Sequence, residues 1–102
     1  MLTHFCIVRR DLPRGVLAAQ LIHAAGESSE RVPEGTYAVA LAAKNEGHLA
    51  LIEQKLVDAG IPHHAVREPD SPWNGALMAI GLAPTSDRDS VQPITKSLRL
   101  LK

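Results

Sequence analysis

Two kinds of apolar pattern alternate along the chain. Thr3 to Val8 is a short run of strand-forming residues, apolar at successive rather than alternate positions, which is typical of a strand covered on both faces. Tyr37 to Ala43 is a second apolar strand, His63 to Glu68 reads as a third, shorter strand, and Ala76 to Leu82 as a fourth. The pattern therefore predicts four strands.

Two segments between these strands have helical spacing. The first extends from Val16 to about Ser28, and its alanines are small enough for close packing against a sheet. The second follows Asn45, whose side chain suits a helix N-cap, and ends at Gly60. Its apolar residues recur at helical spacing: Leu49, Ile52, Leu56 and Ala59.

A last helix is predicted near the end of the chain. It opens at Thr85 or Ser90 and runs to about Leu101. Proline fits best in the first turn of a helix, where its missing N–H has no partner to lose. Pro93 therefore favours Ser90 as the cap.

The predicted order of elements is β-α-β-α-β-β-α, which indicates an α/β fold. The first crossover is long enough for a parallel strand pair, whereas the short link from Pro69 to Gly75 suits an antiparallel return. We therefore expect a three-layer α/β/α architecture around a four-stranded mixed sheet.

Length and composition narrow the class of protein. The 102 residues, 45% of them hydrophobic, are sufficient for one domain over residues 1–102 and exclude a disordered chain. Eleven Lys and Arg balance eleven Asp and Glu, so any polyanion must be held by a local patch rather than by net charge. The chain contains neither an apolar stretch of bilayer-spanning length nor a signal-peptide pattern, so we expect no membrane partner and a cytoplasmic location. The single cysteine, Cys6, lies in an apolar run and is expected to be a buried thiol.

Three arginines surround the end of the first strand. Arg9 and Arg10 end it, and Arg14 with Gly15 stands at the start of the first helix. Free amides at a helix N-terminus favour an anion, and guanidinium groups pair well with phosphate. The segment is either a phosphate site or a solvated loop in which Asp11 partly neutralises the arginines.

Polar side chains also share one stripe of the first helix. Gln20, His23 and Glu27 recur at helical spacing. His23 has the chemistry to transfer protons, and Gln20 to orient a water or a carbonyl. The alternative is that both bond to backbone at a buried contact between helix and sheet. His23 and Glu27 have the spacing of a metal pair, but two ligands are too few for a metal site.

The sequence resembles the peptidyl-tRNA hydrolases of the archaeal and eukaryotic type, type 2. The resemblance rests on Val8-Arg9-Arg10-Asp11-Leu12, on Ala18-Ala19-Gln20-Leu21-Ile22-His23-Ala24-Ala25, and on Ile80-Gly81-Leu82-Ala83-Pro84 before the closing helix. It covers nearly the whole chain.

The resemblance implies hydrolysis of the ester that joins a stalled peptide to its tRNA. It implies tRNA as the partner, no metal or organic cofactor, and a homodimer. Gln20 and His23 match the helix motif of the family, and Arg9, Arg10, Arg14 and Gly15 would hold RNA phosphates. The alternative function is a non-catalytic RNA-binding module on the same fold.

Two segments depart from the family pattern. Arg14-Gly15-Val16 replaces a Lys-Gly-Lys loop, and a guanidinium cannot deprotonate to serve as a base. The Asp-Ala-Gly-Arg-Thr-Gln loop of the family is replaced by a shorter loop without a Thr-Gln pair. The active acid is then Glu68 or Asp70, and its loop position favours Asp70 as the third catalytic residue.

Overall fold

A computed structural model describes residues 1–102. Four strands lie where the apolar runs predict them, and a short fifth strand follows the last helix. The elements in chain order are β1 (Thr3–Arg9), α1 (Arg14–Glu27), β2 (Tyr37–Ala43), α2 (Glu46–Asp58), β3 (His63–Glu68), β4 (Ala76–Leu82), α3 (Arg88–Thr95) and β5 (Arg99–Leu100).

The strands form one mixed sheet in the order β3-β4-β1-β2-β5. β1 and β2 pair in parallel, and every other neighbouring pair is antiparallel. β1 and β3 therefore run in the same direction, because both are antiparallel to β4. This confirms the predicted mixed sheet and places the carboxyl ends of β1, β2 and β3 at one end of the sheet.

Apolar side chains from both faces of the sheet form two clusters. Alternate residues of β1 divide between them: Phe5 and Ile7 face α2 and α3, whereas Cys6 and Val8 face α1. The fold therefore has the predicted three layers, with the sheet in the middle. None of its helices combines the length and the apolar character needed to cross a bilayer.

The N-cap of α2 is the predicted one. The side chain of Asn45 accepts a hydrogen bond from the His48 amide at 2.9 Å, which satisfies one of the free donors of the first turn. The positive φ of Gly60, 66°, allows the chain to leave the helix in the left-handed region.

The predicted last helix is wrong at both ends. It begins at Arg88 and is capped by Asp87, whose carboxylate accepts from the Ser90 amide at 3.3 Å. Ser90 lies inside the first turn and donates its hydroxyl to the Asp87 carbonyl at 2.9 Å. Pro93 consequently falls in the second turn, where the carbonyl that loses a partner belongs to the exposed Asp89.

The same helix ends at Thr95, and the chain then pairs with β2 as β5. Leu98 packs into the cluster under α2 and α3, whereas Leu101 packs into the cluster under α1. Residues three apart on a helix share a face, so a continuing helix could not place these leucines on opposite faces of the sheet. The sheet therefore has five strands instead of the predicted four.

The only cysteine lies in the middle of the sheet. Cys6 is buried on the α1 side, and this burial raises the pKa of its thiol to about 11. A thiol held protonated in this way is a poor nucleophile, in agreement with the expectation of a buried structural cysteine.

Candidate active site

A polar cleft lies between α1 and the outer strand β3. Its volume is about 450 Å³, and seven of its nine lining residues are not hydrophobic. From α1 it is lined by Gln20, His23 and Glu27, and from β3 and the residue after it by His64, Ala65, Val66, Arg67, Glu68 and Pro69.

The alternation of a strand explains which side chains of β3 face α1. Val66 packs into the apolar cluster under this helix. His64 and Glu68 are two positions away on either side, so they lie on the same face of the strand. β3 thus presents an imidazole and a carboxylate to the polar stripe of α1.

Gln20 and Glu68 make the central contact of the cleft. The Gln20 side chain, 4% exposed, donates from Nε2 to Oε1 of Glu68 at 3.4 Å. The other carboxylate oxygen of Glu68 accepts from the Asp70 amide at 3.5 Å. Both contacts are long, so they orient a half-buried carboxylate and leave it able to accept a further, shorter hydrogen bond.

A second group of polar side chains lies further along the cleft. The carboxylate of Glu27 lies between two imidazoles, 3.8 Å from Nδ1 of His23 and 3.1 Å from Nε2 of His64. All three side chains are exposed to solvent. The structure holds no group of three or more His, Cys, Asp or Glu side chains arranged to hold a metal ion.

Asp70 lies apart from this cleft. Its carbonyl accepts from the amides of Trp73 at 2.9 Å and Asn74 at 3.1 Å, so the residue opens a turn. Its carboxylate is exposed and makes no hydrogen bond. Of the two acids that the sequence offers, Glu68 is therefore the one that the fold brings to Gln20.

The side chain of Arg9 is bound to other groups of the protein. Its guanidinium donates to both carboxylate oxygens of Asp11, at 2.8 and 3.0 Å, and to the Leu77 carbonyl at 3.3 Å. It also lies 5.7 Å from the centre of the Trp73 ring, and its side chain is 11% exposed. Asp11 raises the pKa of Arg9, and Arg9 in turn holds the pKa of Asp11 below its ordinary value. Arg9 thus links the end of β1 to the loop before β4.

The other residues of the predicted phosphate site point to different places. Arg14 and Gly15 are exposed in the first turn of α1, which has no side-chain cap and no acidic residue. Arg10 is exposed and lines a groove at the β2–β5 edge of the sheet. Arg9 is thus bound to Asp11 and Arg10 lines the groove beside β5, although all three arginines lie at or shortly after the carboxyl end of β1.

Sequence reasoning did not assign Glu27 and His64 to this cleft. A signal for them was present, because Glu27 continues the helical stripe of Gln20 and His23, and His64 has the period-two spacing to Glu68. The pattern did not show that α1, which packs chiefly on β4 and β1, also reaches the outer strand β3.

One known protein family matches the chain over its whole fold. A family model for Peptidyl-tRNA hydrolase PTH2 matches residues 2–101, from the residue before β1 to the residue after β5. No curated protein matches the chain. Since the match includes every helix and strand described above, the chain belongs to the PTH2 family of peptidyl-tRNA hydrolases.

Proposed function

We propose that this protein hydrolyses peptidyl-tRNA, releasing the peptide and free tRNA, with the cleft between α1 and β3 as the active site. Membership of the family supports the reaction class. The observation that supports the location is the hydrogen bond from the buried Gln20 to the Glu68 carboxylate inside an open polar cleft.

In this proposal Glu68 is the general base. A water molecule bound to its carboxylate gives up a proton as its oxygen attacks the ester carbonyl carbon. The bond from that carbon to the ribose oxygen then breaks, and the ribose oxygen takes a proton. The products are a peptide with a free carboxylate and a tRNA with a free terminal hydroxyl.

Gln20 and His23 support this reaction from α1. The amide of Gln20 holds the carboxylate of Glu68 in one orientation and has a second N–H available for a substrate oxygen. Nδ1 of His23 faces the Glu27 carboxylate. In the imidazolium form of His23, Nδ1–H points to that carboxylate and Nε2–H points away from it, and Nε2 then gives its proton to the ribose oxygen. The scheme requires no metal or organic cofactor.

Release of tRNA from an N-blocked aminoacyl-tRNA tests this function. Glu68→Gln removes the base and keeps the shape, so we expect turnover to fall by about 100-fold or more. Asp70→Asn is the matched control, and its turnover should stay near that of the wild type because its carboxylate lies outside the cleft. His23→Ala should slow turnover without weakening tRNA binding.

Three results would argue against the proposal. Loss of turnover in Asp70→Asn with full turnover in Glu68→Gln would transfer the role of the base to Asp70. Full turnover in all variants would exclude these side chains from the chemistry. Binding of tRNA by the wild type without any turnover would make the protein an RNA-binding module on a hydrolase fold.

A further inference from the structure

A second polar surface lies at the other edge of the sheet, where β5 pairs with β2. It consists of two adjoining grooves of about 500 and 200 Å³ that share three residues, Arg10, Ala42 and Arg99. We call this surface the basic groove and define it by six of its residues: Arg10, Ala42, Lys44, His48, Arg99 and Lys102.

Strand pairing explains the shape of the basic groove. Ala42 of β2 is paired directly with Arg99 of β5, and the Arg10 amide donates to the neighbouring Ala43 carbonyl at 2.8 Å. Arg10 and Arg99 therefore stand on opposite sides of β2, separated by two strand spacings, or about 10 Å. The small side chain of Ala42 leaves the space between them open.

The cations of the basic groove have no internal partners. Arg10, Lys44, Arg99 and Lys102 take part in none of the ion pairs of the protein. Arg9 and Arg67, by contrast, are bound to Asp11 and Glu53. No Asp or Glu side chain lines either part of the groove, so its charged side chains are all cations.

His48 adds a neutral donor to this surface. Its Nδ1 accepts a hydrogen bond from the Lys44 amide at 3.0 Å. The proton of the neutral ring therefore lies on Nε2, which is left to donate to a ligand. Guanidinium, ammonium and imidazole donors around an open channel match the oxygens of successive phosphates.

We propose that the basic groove binds the phosphate backbone of RNA. That the RNA is tRNA rests on the proposed function. The groove and Glu68 lie at the same end of the sheet because β1 and β3 run in the same direction. They are separated by about 15 to 20 Å across the strands, so the groove can hold the body of a tRNA while its terminal ester enters the cleft.

Binding of deacylated tRNA, titrated at several salt concentrations, tests the groove directly. Arg99→Ala should weaken binding by about tenfold at low salt and reduce the slope against salt by about one unit. Ala42→Glu places a carboxylate between the two arginines and should weaken binding further, whereas Ala42→Gln has the same shape without the charge. Lys55→Ala, which removes an exposed cation from α2, is the control for net charge and should bind as the wild type does.

The outcomes separate this inference from the proposed function. Wild-type affinity and salt slope in both Arg99→Ala and Ala42→Glu would overturn the inference, even if the protein hydrolyses peptidyl-tRNA. Binding that depends on the groove would support it, even if no ester is cleaved. Equal competition by poly-glutamate at the same charge concentration would also overturn it, because the groove would then select negative charge and not RNA.

Discussion

At the scale of single residues, His4 shows how burial determines which form of a side chain the fold accepts. It is 5% exposed in β1, and its Nε2 lies 2.8 Å from the Ser28 hydroxyl. Loss of hydration lowers the pKa of His4 from its ordinary value of 6.5. The folded protein therefore binds this proton less readily than the unfolded chain does.

This difference predicts a loss of stability in acid. Above pH 6.5 the ring is neutral in both states, and as the pH falls below 6.5 the unfolded chain takes up the proton first, so folding becomes less favourable. We expect the free energy of unfolding, from urea titrations at pH 7.5 and 5.5, to fall less in His4→Gln than in the wild type. Equal decreases in the two proteins would contradict the prediction.

The candidate site shows how far single residues can be placed from sequence. Helical spacing was sufficient to bring Gln20 and His23 to one cleft, because both lie on the stripe of α1 that faces β3. The choice between Glu68 and Asp70 could not be made in the same way. It depends on a turn in which backbone amides bond to the Asp70 carbonyl, and loop hydrogen bonds of this kind leave no periodic signal.

At the scale of elements, the contact of α1 with β4 depends on a residue without a side chain. Gly81 is buried in β4, and a Cβ atom there would meet the Ala24 carbonyl and the Ser28 side chain. A helix backbone cannot move aside as the end of a flexible side chain can. The absence of a Cβ at Gly81 therefore sets how closely α1 approaches the sheet, and with it the width of the cleft.

Gly81→Ala should destabilise the protein by about 1 to 3 kcal/mol, because α1 must move outward. Gly26→Ala is the matched control. Gly26 lies in α1, the helix that packs against Gly81, and a Cβ at Gly26 meets nothing within 4 Å. That variant should be neutral or more stable by up to about 1 kcal/mol, since alanine is the better helix former. Urea unfolding measures both, and equal stabilities for the two variants would show that the helix does not rest on Gly81.

The elements themselves were predictable to different degrees. Runs of apolar residues placed β1, β2 and β4 nearly to the residue, because a strand covered on both faces carries apolar side chains at successive positions. β3 was also placed, although Val66 is its one buried residue. The end of the chain was not predictable from periodicity. Leu98 and Leu101 have helical spacing, so the pattern predicts a helix. The segment between them instead pairs with the free edge of β2, and the two leucines pack on opposite faces of the sheet.

At the scale of the whole molecule, the fold class followed from the order of elements, whereas the number of molecules that assemble did not. Large apolar side chains remain exposed, among them Ile22 at 71% and Tyr37 at 58%. A domain of about 100 residues buries a modest share of its surface and benefits from a partner. We therefore keep the expectation of a homodimer as a prediction.

Sedimentation equilibrium at micromolar concentration tests the predicted homodimer, and we expect a mass twice that of one chain. Tyr37 lies in the half of β2 that β5 leaves unpaired, so Tyr37→Asp should shift the equilibrium towards the monomer. Leu51→Asp, which adds a charge at another exposed apolar position, serves as the control. A single-chain mass for the wild type across the concentration range would rule out the dimer.

The separation of charge across the sheet has a consequence for how an RNA is approached. The carboxylates of Glu27 and Glu68 lie beside β3, and the unpaired cations of the basic groove lie beside β5. These two groups of charges contribute a dipole moment that points across the sheet, and the field of a polyanion acts to turn that dipole. On the proposal that the basic groove binds RNA, the β5 edge would therefore lead when the two molecules meet.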